Sequence, residues 1–401
     1  MWKAVLPCLI ATCAIAQQDP VGQLQKKLAD GSLKLAYDQE FGYLPDLLKA
    51  LRVPTSSQGL VFSKTSLQLH HIHPQAPRAI YFNDDVYVGY VQGGDVIEVV
   101  SVDPQHGSLF FSLEQDPAIK PVFTKREDCL QCHQSQKTFD IPGLLLRSVW
   151  TLSSGYPDFK QGGFAGDERS PMKERWGGWY VSGTVENDAH MGNQVLRGEL
   201  EPVDLSKGAD VVNLDKLVNT NRYLTPHSDI VALLVLQHQV RVHNLLARTN
   251  TQSREVLAQN ASLAKMFELK PGEWTDSTRR RIDRMVDELA QALLFQGEYQ
   301  LKGRIRGTSA FAEEFSKLGP RDSKGRSFRD FDLNSRLLKY PCSWLVYSEA
   351  FDSLLPEIKT RVYGRMREFL NRPEGRATLE ILAETKPDFE TQPTAAVQPV
   401  R

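Results

Sequence analysis

The chain has 401 residues, 41% of them hydrophobic and 24% charged, with 48 basic and 49 acidic side chains and a formal net charge of -1. These are ordinary globular proportions, enough for one large core or two smaller ones. So even a balance argues against a global field for nucleic acid or an anionic membrane, and five cysteines are too few for a disulfide-built scaffold.

Taken in chain order, residues 1–16, "MWKAVLPCLIATCAIA", come first. One early lysine, Lys3, precedes a short apolar run, and Ala14-Ile15-Ala16 precede the polar "QQDP". That is the pattern of a cleaved export signal, too short to span a bilayer, and it implies a periplasmic protein. Cys13 offers a lipid anchor as an alternative. Cleavage would leave Cys129, Cys132 and Cys342.

Residues 17–60 read as an N-terminal helical segment, with Leu24, Leu28, Leu33 and Leu35 followed by Leu44, Leu47, Leu48 and Leu51. Residues 61–205 change texture. Short β-branched and aromatic runs, punctuated by "NDD", "QGGD" and "DPQHG", predict an antiparallel meander, and "PVFTKRED" predicts a further strand leading into Cys129. Residues 206–385 turn helical: "SDIVALLVLQHQVRVHNLLARTN" opens on an N-cap at Ser228 or Asp229, and Pro356 marks a later boundary. Residues 386–401 are polar and Pro-rich and read as a loose tail. The expected fold class is therefore α+β: a β-rich middle carrying the cysteine pair, then a mostly helical C-terminal half. No later stretch reaches 18 consecutive apolar residues, so no transmembrane span is expected.

The densest chemical signal is "CLQCH", residues 129–133. Two thiols separated by two residues match the spacing of the two haem vinyl groups, and a histidine directly after the second is placed to ligate iron. A thioredoxin-like pair would prefer a βαβ setting, and a zinc site would need ligands beyond the distant Cys342. The five residues resemble the attachment site of the c-type cytochromes. That resemblance implies one covalent haem c, with Cys129 and Cys132 as thioether donors and His133 as proximal iron ligand.

In small cytochromes of that family the resemblance implies a downstream methionine on the opposite side of the iron. Met191, in "NDAHMGNQ", is the first candidate and Met172 the second, although the strands and Gly-rich loops between them and the motif depart from the small-cytochrome pattern. On the long helix, Gln237, Arg241, Asn244 and Arg248 form a polar stripe, while His243 and His238 fall among apolar residues. His243 reads either as a hydrogen-bonded core histidine or as a distal ligand, with His190 a weaker rival. His70, His71 and His73 read as solvated loop residues, and Trp176, Trp179 and Tyr180 as core or pocket aromatics. Arg147, Arg169 and Arg175 are candidates for the haem propionates.

The expected function is one-electron transfer by an exported monohaem c-type cytochrome, exchanging electrons with a redox partner protein or a small-molecule donor or acceptor. The alternative is a haem-dependent, peroxidase-like oxidoreductase or a gas or redox sensor with an open sixth position. A purely structural haem is the third reading. The length favours weighing the second, since a shuttle needs far fewer residues.

Overall fold

The computed structural model describes residues 19–197, 203–270 and 272–391. The export signal read at 1–16, with Cys8 and Cys13, lies outside the described residues, as do residues 392–401.

The described chain enters through α1 (Pro20–Asp30). The Asp19 carboxylate accepts from the Val21 and Gly22 N–H groups, and Pro20 fills the first helical position. Gly31 stops the helix at φ 79°, so Leu33 and Leu35 lie beyond it rather than on it. After α2 (Leu44–Ala50) come β1 (Gly59–Val61), β2 (Arg78–Phe82), β3 (Val86–Tyr90), β4 (Val96–Asp103), β5 (Gly107–Glu114) and β6 (Phe123–Lys125). These six pair antiparallel in sequence order, the expected meander. The short α3 (Leu130–His133) follows β6 at the sheet edge. β7 (Arg147–Val149) and β8 (Gly163–Ala165) form a separate hairpin, and β9 (Trp179–Tyr180) returns to β1 as the seventh strand.

Alternation along the strands gives the sheet two buried faces. Ala79, Tyr81, Val88, Ile97, Val99, Phe111 and Leu113 pack with Leu24, Leu28, Leu44, Leu47 and Leu48 of α1 and α2. Phe82, Tyr87 and Val102 point the other way, into the helical half.

That half begins after β10 (Thr184–Val185) and α4 (Ser206–Ala209) with α5 (Ile230–Met266). Asp229 caps α5 by accepting from the Val231 and Ala232 N–H groups, and also from those of Thr308 and Ser309. α6 (Asp276–Leu293) packs on α5. It is followed by β11 (Ile305–Arg306), which pairs with β10, then α7 (Phe311–Lys317), α8 (Glu349–Asp352), α9 (Pro356–Leu370), α10 (Arg376–Thr385) and α11 (Pro387–Thr391). Buried hydrophobics run without a break from Val61, Phe82 and Tyr87 through α5 into α6 and α9. The architecture is α+β, with α5 as the axis joining the sheet to the helices.

Among the described residues α5 alone is long and apolar enough to cross a membrane, and 94% of its apolar window is buried inside the protein, so it serves as the core helix. The tail expected from residue 386 is corrected in part. Residues 387–391 are helical because Phe389, 3% exposed, packs edge-on against Tyr363 with centroids 5.1 Å apart.

Candidate haem-attachment site

Strand β6 is held at the sheet edge, and just beyond it the Arg126 N–H donates to the Phe110 carbonyl at 2.8 Å. The chain then turns at once: Glu127–Cys129 form a 3-10 turn that runs straight into α3. Residues three apart in such a turn lie one above the other, which puts Cys129 and Cys132 on one side. Both are free thiols, Cys129 half-buried and Cys132 exposed. Burial pushes the Cys129 thiol up, and the charges of Asp128 and Glu98 add to the effect.

His133 carries the informative geometry. Its Nδ1 lies 2.9 Å from the Gly143 carbonyl. A carbonyl can only accept, so the proton sits on Nδ1 and Nε2 keeps its lone pair. Metal-binding histidines are oriented in this way by an outer acceptor. The bond is reciprocated, because the Gly143 N–H donates to the His133 carbonyl at 2.9 Å. The ring packs on Phe110 with centroids 4.8 Å apart. Burial holds the imidazole below its usual range against the pull of the Gly143 carbonyl, and the Arg78 and Arg147 charges lower it further. His133 is therefore neutral at neutral pH, the form that ligates a metal.

The segment after the motif is pinned to α5 by the polar stripe. Asn244 holds both backbone groups of Leu144, accepting its N–H at 2.9 Å and donating to its carbonyl at 2.8 Å. Arg248 lies over the Phe139 ring at 4.8 Å and pairs with Glu288 of α6, while Gln252 donates to the Phe139 carbonyl at 3.2 Å. Arg241 pairs with Glu168, and Gln237 accepts from Arg175 at 3.2 Å. The whole stripe thus faces the loops on either side of the β7–β8 hairpin.

Beside the motif, the face of the sheet that carries Phe110 is incompletely covered. Ile80 and Val100 sit on central strands yet are only half-buried. Val100 pairs in register with Phe110, and Gly89 with Ile80 and Glu98. An apolar, partly open bed next to two thiols and a neutral imidazole with a free Nε2 fits a covalently attached macrocycle. Among the described residues no three His, Cys, Asp or Glu side chains cluster as a metal site. The His70 and His71 rings, 4.1 Å apart, are part of a turn with no buried residue.

Of the candidates for the other side of the iron, the Met191 sulfur and His243 Nδ1 have partners, while His243 Nε2 and both His190 nitrogens are buried without one. Met191 is 1% exposed and its Sδ accepts from Ser148 Oγ at 3.5 Å. Alternation in β7 places Ser148 and Arg147 on opposite sides, so Met191 lies behind the strand whose Arg147 charge acts on His133. His243 is buried against Tyr87, with Nδ1 2.8 Å from the hydroxyl. Tyr87 is two inter-strand spacings from Phe110, about 10 Å. Burial pushes His243 down to about 3. The structure brings neither Met191 nor His243 into contact with His133. Met172 and His190 are fully buried, and His190 packs edge-on against Trp176.

Of the three arginines named for carboxylate binding, only Arg147 acts on His133. Arg169 pairs with Asp167 at 2.6 Å, and Arg175 is buried and donates to the Ser170 and Glu168 carbonyls. Trp176, Trp179 and Tyr180 are core residues. Arg78, Gly89 and Gly143 escaped the sequence reading. The one signal for them was a lone glycine inside the apolar strand "VYVGYV", which marks a close approach.

A second constellation has the look of chemistry. His238 Nε2 lies 2.9 Å from Ser343 Oγ, and its Nδ1 3.7 Å from Glu168 Oε2. Ser343 is wholly buried and the ring is stacked 3.8 Å from Phe295, so no substrate reaches the hydroxyl. The arrangement is structural. Comparison with protein-family models, curated proteins and solved structures returns no match.

Proposed function

We propose that the chain is an exported monohaem c-type cytochrome that binds one haem c through Cys129 and Cys132, ligates its iron through His133, and transfers single electrons in the periplasm. The observation that carries this reading is the His133 Nδ1–Gly143 bond, which leaves Nε2 free beside two unpaired thiols. When bound, the haem supplies a reversible Fe(II)/Fe(III) couple. The residues around it do the rest: Gly143 orients the imidazole, Phe110 supports it, and the half-buried Ile80 and Val100 offer an apolar seat that restricts water. The exchange partner is a redox protein or a small donor or acceptor reaching the exposed Cys132 edge.

Protein from a host competent in cytochrome maturation is expected to be coloured and to weigh one haem more than the processed polypeptide. In a Cys129→Ser, Cys132→Ser double variant the colour should be lost on acid-acetone extraction. A colourless parent protein with the bare polypeptide mass would end the proposal.

A second reading is favoured by the engagement of Met191 with Ser148 and of His243 with Tyr87. If the Met191 sulfur and the His243 ring keep these partners when haem is bound, a sixth position would stay exchangeable, as suits a haem oxidoreductase or a gas or redox sensor. Absorption spectra of both redox states separate the two. Sharp low-spin bands without carbon monoxide binding support electron transfer; a high-spin ferric state that binds carbon monoxide quickly supports the second.

A further inference from the structure

The strand glycine at position 89 has a specific tenant. A Cβ built there would meet Arg78 Nη2 at 2.3 Å, Nε at 2.7 Å and Cζ at 2.8 Å, so the guanidinium of Arg78 lies flat on the space that a side chain would fill. Arg78 reaches from β2, across Gly89 of β3, to Glu98 of β4, where Nη2 meets Oε2 at 2.6 Å. Ser66 Oγ and Gln68 Nε2 also donate to Glu98, at 2.7 and 3.3 Å. One side of the fork is therefore held firmly. The other is not: Arg78 Nε is buried and has no partner. A buried N–H without an acceptor calls for a partner, and a ligand carboxylate would supply one.

A second guanidinium stands near. Arg147 is half-buried, forms no ion pair among the described residues, and opens β7 four residues after Gly143, whose carbonyl and N–H both bond His133. One planar cation on the sheet face and one on the neighbouring β7–β8 hairpin, beside a half-buried apolar bed, match a flat apolar ligand bearing two carboxylates. Guanidinium pairs with carboxylate through two parallel hydrogen bonds, which a lysine cannot reproduce. Haem has this form, with its two propionates on the half of the ring away from the vinyl positions that cysteines take.

Resting on the attachment proposed above, we infer that Arg78 and Arg147 receive the two haem propionates, with the Arg78 guanidinium, seated on Gly89, standing at the edge of the macrocycle. Arg78 is oriented for this by the absence of a side chain at Gly89 and by the anchoring of its far nitrogen on Glu98. Each arginine positions the haem and places positive charge beside it.

The test uses the full-length, haem-loaded protein. Mass spectrometry reads covalent loading, and spectroelectrochemistry reads the midpoint potential between pH 5 and 8. Arg78→Gln and Arg147→Gln should still load haem. Each removes a cation that favours the reduced iron, so the reduction equilibrium constant should fall about tenfold, 59 mV for a one-electron couple. The freed propionate then titrates, and the potential should fall further as pH rises. Arg78→Lys and Arg147→Lys keep the charge and should recover most of the shift while leaving the pH-dependent limb. Gly89→Val evicts the Arg78 guanidinium without altering the net charge, and should shift the potential in the same direction as Arg78→Gln. Should Arg78→Gln fail to fold, Arg147→Gln, which breaks no ion pair, carries the test. Loaded Gln variants whose potential and pH dependence match the parent would overturn the inference while leaving the attachment intact. A parent without covalent haem would instead remove the premise.

Discussion

Tyr87 is where sheet and helix meet one polar atom at a time. Its hydroxyl lies 2.8 Å from His243 Nδ1 and accepts from Gln239 Nε2 at 2.9 Å, all of it buried. Replacing Tyr87 by Phe leaves the histidine nitrogen without its partner, an expected loss of about 1–3 kcal/mol. Urea unfolding should show a lower midpoint with an unchanged slope. Met191 makes the contrasting case. Its sulfur meets one serine hydroxyl in an apolar enclosure, so Met191→Leu conserves volume and should cost less than about 1.5 kcal/mol. In haem-loaded protein the same variant should keep the parent's spin state in both redox forms. Loss of a low-spin spectrum in Met191→Leu would put that sulfur on the iron and refute the packing role.

At the scale of elements, α5 is a splint. Gln237, Arg241, Asn244 and Arg248 follow helical spacing, and each binds a different point of the chain between Phe139 and Arg175. Asn244→Ala strands both backbone groups of Leu144, one residue from the carbonyl that orients His133. An expected loss of about 1–3 kcal/mol follows, together with faster amide exchange confined to residues 138–147. Exchange unchanged in that segment would show that the loop holds itself. The stripe, an N-cap at Ser228 or Asp229 and the boundary at Pro356 were legible in the sequence, because caps and periodicity are local. So was the meander, from its turn residues, and the edge strand that delivers the chain to Cys129. The partner of the stripe was not legible, since Asn244 and Leu144 are a hundred residues apart and nothing local marks the pair. Gly143 is hidden for the same reason: a Cβ there would lie 2.6 Å from Asn244 Oδ1, a constraint imposed from another element. Met191 was named from its Gly/Asn-rich loop and His243 from its place in the apolar stripe of the helix, and neither local signal says which distant residue a side chain meets.

The molecule as a whole is locked by a buried charged knot where the segment after β8 meets α5 and the helical half. Glu168, 3% exposed, pairs with Arg241 and stands 3.7 Å from His238, while Arg175 donates to the Glu168 carbonyl at 2.9 Å and is itself 2% exposed. Burial pushes the Glu168 carboxyl up, but His238 and the Arg241 guanidinium outweigh it and hold the group at about 2, against an ordinary 4.5. The sign of the consequence follows from proton counting. Between those values the unfolded chain binds a proton that the native state refuses. Glu168 therefore stabilises the fold fully above about pH 4.5, and that contribution, about 3 kcal/mol, fades as pH falls toward 2. Glu168→Gln keeps the shape and removes the charge, leaving Asp167 as the remaining partner of Arg241 and the buried Arg175 without its nearest carboxylate, so at pH 7 it should cost about 3 kcal/mol. The variant lacks the acid limb of the parent, so the two denaturation curves should approach each other from pH 5 to pH 3. A stability gap that stays constant over that range would mean that Glu168 is not ionised in the native protein, and the knot would have to be redrawn as a neutral hydrogen-bond network.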